Sequence, residues 1–361
     1  MKRFFITVAV IVTILLILPS MAYGASEQWA KYSGNPVVRP SPGAWDSDYT
    51  TGPRVLHTGG EFRMWYSGGN KSGGSGIGYA TSLDGFSWTK LNRPVLVPGS
   101  NGAWDSSTVA VGSVTWNGTV FTMYYRGTNP TTYQTGAIGF ATSIDGVSWT
   151  KYSGNPIIKS TAVDQTYIGS PFVVKLLLSY DLWYTGKNFT YQKTNSVSRI
   201  LLATSLDGIK WNKWPNPVFL PSTDVSAWDS ASVYSPSVYW NGTIFWLWYS
   251  GVSQSSLAPQ IGLATSPDGS TWTRFSSDPI LSPGSMEGWD SAGVEQAAPV
   301  INQNSVRLYY DGLGAFTGGR IGLAQSPQGF AIPEFPYPSM ILIIGLAAYA
   351  TALSRKRRHP K

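Results

Sequence analysis

Between about residues 27 and 330 the chain alternates short apolar and aromatic runs with turn-forming residues. The clearest run occurs five times: Arg63-Met-Trp-Tyr-Ser-Gly68, Thr122-Met-Tyr-Tyr-Arg-Gly127, Asp181-Leu-Trp-Tyr-Thr-Gly186, Trp246-Leu-Trp-Tyr-Ser-Gly251 and Arg307-Leu-Tyr-Tyr-Asp-Gly312. Runs this short and this rich in aromatic residues predict β-strands rather than helices. An apolar stretch such as Ser235-Pro-Ser-Val-Tyr-Trp240 precedes each run, and Asn117-Gly118 and Asn241-Gly242 supply hairpin turns between the two. A third stretch follows, such as Ile77-Gly-Tyr-Ala-Thr-Ser82. Then come an Asp-Gly turn and a short last strand at a Trp with Lys or Arg two positions on.

These phrases repeat with a period near 60. Trp29, Trp88, Trp149, Trp211 and Trp272 mark the units, and a second mark reads Trp45-Asp-Ser47, Trp104-Asp-Ser106, Trp228-Asp-Ser230 and Trp289-Asp-Ser291. The third copy departs, as Val163-Asp-Gln165. Four strands per unit and five units predict an all-β, five-bladed β-propeller with four-stranded blades. The fifth unit stops at Ser326-Pro-Gln-Gly-Phe330 without its Trp-x-Lys strand, and Trp29-Ala-Lys31 supplies that strand at the other end of the chain. The N-terminal strand is therefore expected to pair near Ile321 to Ala324 and close the last blade, which removes two exposed sheet edges. Marks present in nearly every blade are scaffolding. Trp is expected to pack between blades, and Asp46, Asp105, Asp229 and Asp290 to accept backbone hydrogens in turns.

Charge changes the picture only at the ends. The chain carries 26 Lys and Arg against 19 Asp and Glu, but seven of the basic residues are Lys2, Arg3, Arg355, Lys356, Arg357, Arg358 and Lys361. The remaining 19 basic residues balance the 19 acids, which argues against a nucleic-acid surface. Residues 1–24 read as a signal peptide. Residues 331–337 form a short linker, 338–354 an apolar segment and 355–361 a basic tail on the cytoplasmic side. This predicts a secreted, surface-tethered domain, with the membrane as a partner through the C-terminal tail. The strict apolar core, Met340 to Leu353, is short for a membrane span. With Ile332-Pro-Glu-Phe-Pro336 before it, the tail resembles the tripartite sorting tails of archaeal surface proteins. That resemblance implies a sortase-like processing enzyme.

In a ring of similar blades, function is expected where the blades differ. Five positions beyond the Asp of the mark stand Thr51, Ala110, Gly169, Tyr234 and Glu295, with one acid among them. Two positions beyond it stand Asp48, Ser107, Thr166, Ala231 and Ala292, again with one acid. Before the Gly of the second strand stand Ser67, Arg126, Thr185, Ser250 and Asp311, so Arg126 and Asp311 are the charged exceptions. Tyr49 and Arg54 lie near Asp48, and Asp164 occupies the mark of the blade that lost its Trp. There is no cysteine, and His57 is the only histidine outside the tail, so no transition-metal site and no cofactor is expected.

From Met64-Trp-Tyr-Ser-Gly68 through Ile77-Gly-Tyr-Ala-Thr-Ser-Leu-Asp-Gly85, the units resemble the five-bladed arabinanase, β-xylosidase, levansucrase and invertase group of glycoside hydrolases. The resemblance spans about residues 27–330. It implies a carbohydrate polymer or glycan as partner and an Asp on the first blade as base or nucleophile, a role Asp48 matches. It also implies a second, tuning Asp, matched by Asp164, and a Glu as proton donor. That Glu falls on the fourth blade in the group, where this chain has Tyr234; the nearest substitute, Glu295, is on the fifth. Tyr49, Arg54, Arg126, Tyr234 and Asp311 are the expected substrate contacts. A hydrolase would bring the carboxyls of Asp48 and Glu295 to about 5–9.5 Å of each other. The competing expectation is a non-catalytic glycan-binding or envelope propeller. A phosphorylase would need gathered basic groups, for which Arg54 and Arg126 are the candidates.

Overall fold

The computed structural model describes residues 29–332 except 133–134, 162–163, 165–166, 188–195, 303–304, 315–317, 329 and 331. The leader and the C-terminal tail lie outside the described residues. Among the described residues no helix is long and apolar enough to cross a membrane.

The five units fold into five antiparallel sheets. The innermost strands are Tyr49–Thr58, Thr108–Trp116, Tyr167–Lys175, Ser232–Trp240 and Gly293–Asn302. Each pairs with the strand carrying the aromatic run, then with a third strand and a two-residue outer strand. In the second blade Ile158–Lys159 adds a further pairing to the third strand. The other blades make a single bridge there: Val38–Ile321, Ile77–Leu96, Ile200–Phe219 and Ile261–Leu281.

The ring closes as the repeat predicts. Ala30 pairs with Gln325 and Lys31 with Ala324, so the N-terminal strand is the outermost strand of the fifth blade. The innermost strand of that blade packs against the innermost strand of the first.

The repeated Asp and the repeated Lys or Arg serve one device. Asp46 accepts the Tyr66 hydroxyl at 2.9 Å and the Lys90 ammonium at 2.7 Å. Asp105 does the same with Tyr125 and Lys151, and Asp229 with Tyr249 and Arg274. In the fifth blade Asp290 accepts Tyr310, and its ammonium comes from Lys31 at 2.6 Å, across the closure. The buried carboxylate is thereby both charge-compensated and hydrogen-bonded. The expectation that these Asp residues cap turn backbone is corrected: their partners are side chains. Backbone capping falls to the hairpin Asp of the first four units, Asp84, Asp145, Asp207 and Asp268. Asp84, for example, accepts Phe86 N at 2.7 Å and Ser87 N at 2.8 Å in the hairpin before Trp88.

Large aromatic side chains fill the space between blades. Trp88 meets Tyr309 of the fifth blade edge-on at 5.6 Å, and Trp272 meets Trp183 at 6.2 Å. Such contacts add to the area buried because the positive ring edge faces a negative ring face. Trp65 Nε1 donates to Gly146 O, Trp183 Nε1 to Gly269 O and the Tyr309 hydroxyl to Gly85 O, each at 2.8 Å and each into the hairpin of the adjoining blade.

Candidate active site

Every innermost strand carries a β-bulge at the same level, between Thr51 and Arg54, Val111 and Ser113, Gly169 and Phe172, Tyr234 and Ser237, and Glu295 and Ala298. A bulge leaves one residue out of the ladder and re-aims its side chain. Pro53, Pro171 and Pro236 fall within the bulges of three of these strands, where a missing ladder N–H is no loss. Gly52, Ser170, Ser235 and Gln296 take φ values of 62°, 46°, 51° and 54°. The last three are the non-glycine residues at positive φ among the described residues, and all three line one cleft. Side chains resist this conformation, so it persists only where the surroundings impose it.

The two columns that break the repeat are cross-strand partners. Thr51 lies opposite Ser67, Ala110 opposite Arg126, Gly169 opposite Thr185, Tyr234 opposite Ser250 and Glu295 opposite Asp311. The second-strand residue of each pair reaches into the next blade. Ser67 Oγ accepts Val111 N at 3.1 Å, Thr185 Oγ1 accepts Ser235 N at 2.9 Å and Ser250 Oγ accepts Gln296 N at 3.0 Å. Arg126 reverses the polarity, donating Nε to Ile168 O at 3.1 Å while its guanidinium lies 4.8 Å from the Tyr167 ring. Asp311 closes the circle, with both carboxylate oxygens on Gly52 N at 2.7 and 2.9 Å. It is fully buried and its pKa is raised by burial and by Glu295, against the pull of the Gly52 N–H and of Arg54.

Glu295 and Tyr234 stand together on the wall of a cleft of about 1140 Å³ that spans the third to fifth blades. Tyr167, Ser170, Lys187 and Gln296 also line it. The Tyr234 hydroxyl donates to Glu295 Oε2 at 2.8 Å, and Gln296 Nε2 lies 3.5 Å from Oε1. Burial pushes the Glu295 pKa up against these two hydrogen bonds, which favour the ionised form. Tyr234 is held neutral, since burial and the adjoining carboxyl both raise its pKa.

The remaining sequence candidates go elsewhere. Asp48 and Tyr49 line a separate cleft of about 790 Å³ with Arg39, Lys71 and Arg320, and Asp48 Oδ2 accepts the backbone N–H of Lys71. Asp164 is the fifth copy of the buried latch. It accepts the Tyr184 hydroxyl at 2.5 Å, Thr161 N at 2.7 Å and the Lys213 ammonium. The lost Trp in that blade therefore left the Asp device intact. Arg54 is buried between blades, donating Nε to Gly112 O and Nη1 to Pro53 O at 2.7 Å, with its pKa lowered by burial to about 10. Lys187 and Gln296 were missed at the sequence level. Gln296 was detectable, because it holds the bulge position one past the variable column.

Comparison with known proteins points in the same direction. Residues 112–286 match the family model described as the glycosyl hydrolases family 32 N-terminal domain, a span that ends before Glu295. An uncharacterised protein of Mycobacterium tuberculosis is 26% identical over 260 residues, 70% of this chain and 84% of its own. A 1,2-β-oligomannan phosphorylase of a Thermoanaerobacter species is 26% identical over 215 residues, 58% of this chain and 66% of its own. Among solved structures, one comes from work on the GH130 family of mannoside phosphorylases, which contains glycoside hydrolases targeting β-1,2 mannosidic linkages in Candida mannan. It superposes with a TM-score of 0.64 at 19% identity, covering 90% of this chain and 99% of the other. A β-1,2-mannobiose phosphorylase from Listeria innocua gives a TM-score of 0.62 at 15% identity, with 82% and 96% covered. At these identities the structural likeness establishes the five-bladed propeller fold.

Proposed function

We propose that the chain cleaves a glycosidic bond in an oligosaccharide bound across the third to fifth blades, with Glu295 as the general acid. The observation that carries this reading is the Glu295–Tyr234 pair. It is a half-buried carboxyl on a cleft wall, raised in pKa and oriented by a neutral phenol. A carboxylic acid whose pKa is raised holds its proton to higher pH than a free glutamate and can deliver it to a leaving oxygen. The glycosidic carbon–oxygen bond breaks, its electron pair stays on the leaving oxygen, and that oxygen takes the Glu295 proton. An attacking oxygen forms the new bond at the anomeric carbon. The substrate class is supported by the family match and by relatives that act on β-1,2-linked mannose.

A second reading concerns the attacking group. Glu295 is the one carboxylate on the cleft wall among the described residues, and Lys187 is on the same wall. Hydrolysis needs a base to activate water, whereas phosphate is already an anion and needs a cation to hold it. This composition favours phosphate as acceptor over water. Asp48 and Asp164 have no part in the reaction proposed here. The signal peptide and basic tail expected from the sequence would place the chain outside the cell.

The test is product analysis on β-1,2-mannooligosaccharides, with and without inorganic phosphate, for the wild-type chain and Glu295→Gln. Free reducing sugar without phosphate identifies hydrolysis, and sugar 1-phosphate formed only with phosphate identifies phosphorolysis. Either product, lost in Glu295→Gln, supports the proposal. Binding of the oligosaccharide without any product from the wild-type chain would give the site to glycan binding alone.

A further inference from the structure

The cleft that holds Asp48 and Tyr49 has a composition unlike the rest of the ring. The folded part of the chain is near charge balance, yet this cleft gathers Arg39, Lys71 and Arg320 around a single carboxylate, Asp48. The Asp48 carboxylate accepts the Lys71 backbone N–H. Among the described residues, the charged groups of Arg39, Lys71 and Arg320 make no ion pair, unlike the five cations that serve the buried Asp latches. Three cations against one carboxylate give this cleft a net positive charge, which favours an anionic ligand.

The walls and the position narrow the ligand. Pro40, Pro42 and Tyr49 give the cleft rigid apolar faces beside the cations, which suit the C–H face of a sugar ring. The cleft lies at the seam where the ring closes. Thr50 N donates to Gly319 O at 2.9 Å, and Gly318 packs against the Asp48 carbonyl so closely that no side chain fits. The Asp-Ser mark precedes the innermost strand in four of the five blades. Ser47 lines this cleft and Ser230 the larger one, so both open at the same end of the propeller. The fifth blade, which carries Glu295, lies between them.

We propose that the Arg39–Lys71–Arg320 cleft is a second saccharide-binding site that takes an anionic sugar residue: a uronate, or a phosphate- or sulfate-bearing sugar. It rests on the reading above only in so far as both clefts would serve the same glycan; binding itself needs no catalysis. The site selects acidic over neutral saccharides, and its charges act through the exposed Arg39 and the half-buried Arg320, neither of which serves a buried Asp.

The experiment is calorimetric titration of the wild-type chain, the Arg39→Ala/Arg320→Ala double variant and Glu295→Gln. The probes are oligogalacturonate, phosphorylated mannooligosaccharide and neutral mannooligosaccharide, with inorganic phosphate and duplex DNA as controls. The expected result is acidic saccharide bound at least tenfold more tightly than neutral, with that preference lost in the double variant and kept in Glu295→Gln. Circular dichroism of the double variant should match the wild type. Equal affinity for acidic and neutral saccharides would overturn the proposal, as would an acidic preference that survives in the double variant. Inorganic phosphate binding as tightly as the acidic sugars would reduce the site to an anion hole, and duplex DNA as the tightest ligand would replace saccharide with nucleic acid. Both contradict it. A catalytically silent wild-type chain that still shows the acidic preference would sink the cleavage reading and leave this one standing.

Discussion

Asp164 and Glu295 invite comparison, because both are acids at places where their blade departs from the others. Asp164 has every demand of a buried carboxylate met: a tyrosine hydroxyl, backbone and an ammonium group. Glu295 has a tyrosine hydroxyl and a distant amide but no cation, and it faces a cleft rather than a packed seam. The same chemical group is thus paired with a cation in one blade and, without one, pushed toward its neutral form by burial in another. What separates scaffold from site is the presence of the compensating cation, and that partner comes from a strand about 50 residues away in sequence.

The comparison can be broken most severely at the closure. Deleting residues 29–34 removes the outer strand of the fifth blade and the ammonium partner of Asp290. The expected outcome is loss of cooperative folding of the whole domain, seen as a featureless thermal melt by near-ultraviolet circular dichroism. A cooperative melt within a few degrees of the full chain would show that the ring is stable open.

Next in size is the latch. Lys213→Ala leaves Asp164 buried without its cation, and removing one partner of a buried ion pair costs about 3–5 kcal/mol. Urea denaturation should report a loss of that order, with activity per folded molecule unchanged. A smaller effect is expected at the site. Tyr234→Phe removes the hydrogen bond that orients Glu295 and favours its ionised form, a change of about 1 kcal/mol. Turnover should fall roughly fivefold with little change in stability, and the alkaline limb of the pH–rate profile should move up.

The smallest effect concerns the exposed hairpins. Backbone N–H groups lower the pKa of Asp84 to about 2, and those of Asp268 also to about 2. Groups lowered on folding stabilise the native state above their ordinary pKa, and that contribution fades as pH falls from about 4 through 2. Asp84→Asn should flatten the stability profile in that window and be slightly less stable than the wild type above it, where the ionised carboxylate contributes fully. An identical profile in the variant would remove the hairpin from the acid response.

Much of this architecture was legible in the repeat. The strand order, blade number and closure follow from where each phrase recurs and where the last one is missing. The two columns that vary most, at 295 and at 311, are the two that meet across the ladder. Their pairing was not legible, because the bulge shifts the register there and sequence spacing alone does not reveal it. Repetition marks the Asp residues of the mark as scaffolding, but their partners come from distant strands, which spacing within one unit does not reveal. Adjacency of the first and fifth blades predicts a pairing of Asp48 with Glu295. The three-residue difference along the innermost strand instead puts Asp48 in the cleft at the seam. Arg54 drew notice as a charge near Asp48, yet its side chain turns inward between blades and is buried.

The central claim is that Glu295 acts on substrate while the repeated Asp residues hold the ring. Its most direct measurement is the turnover of a β-1,2-mannooligosaccharide by Glu295→Gln and by Asp164→Asn, each normalised to the folded fraction from urea denaturation. Glu295→Gln should lose roughly 10²- to 10⁴-fold in turnover with its stability intact, and the wild-type alkaline limb, with its midpoint above the ordinary glutamate value of 4.5, should vanish with it. Asp164→Asn should lose stability and keep its turnover per folded molecule. Full turnover in Glu295→Gln, or loss of turnover in a fully stable Asp164→Asn, would contradict the account.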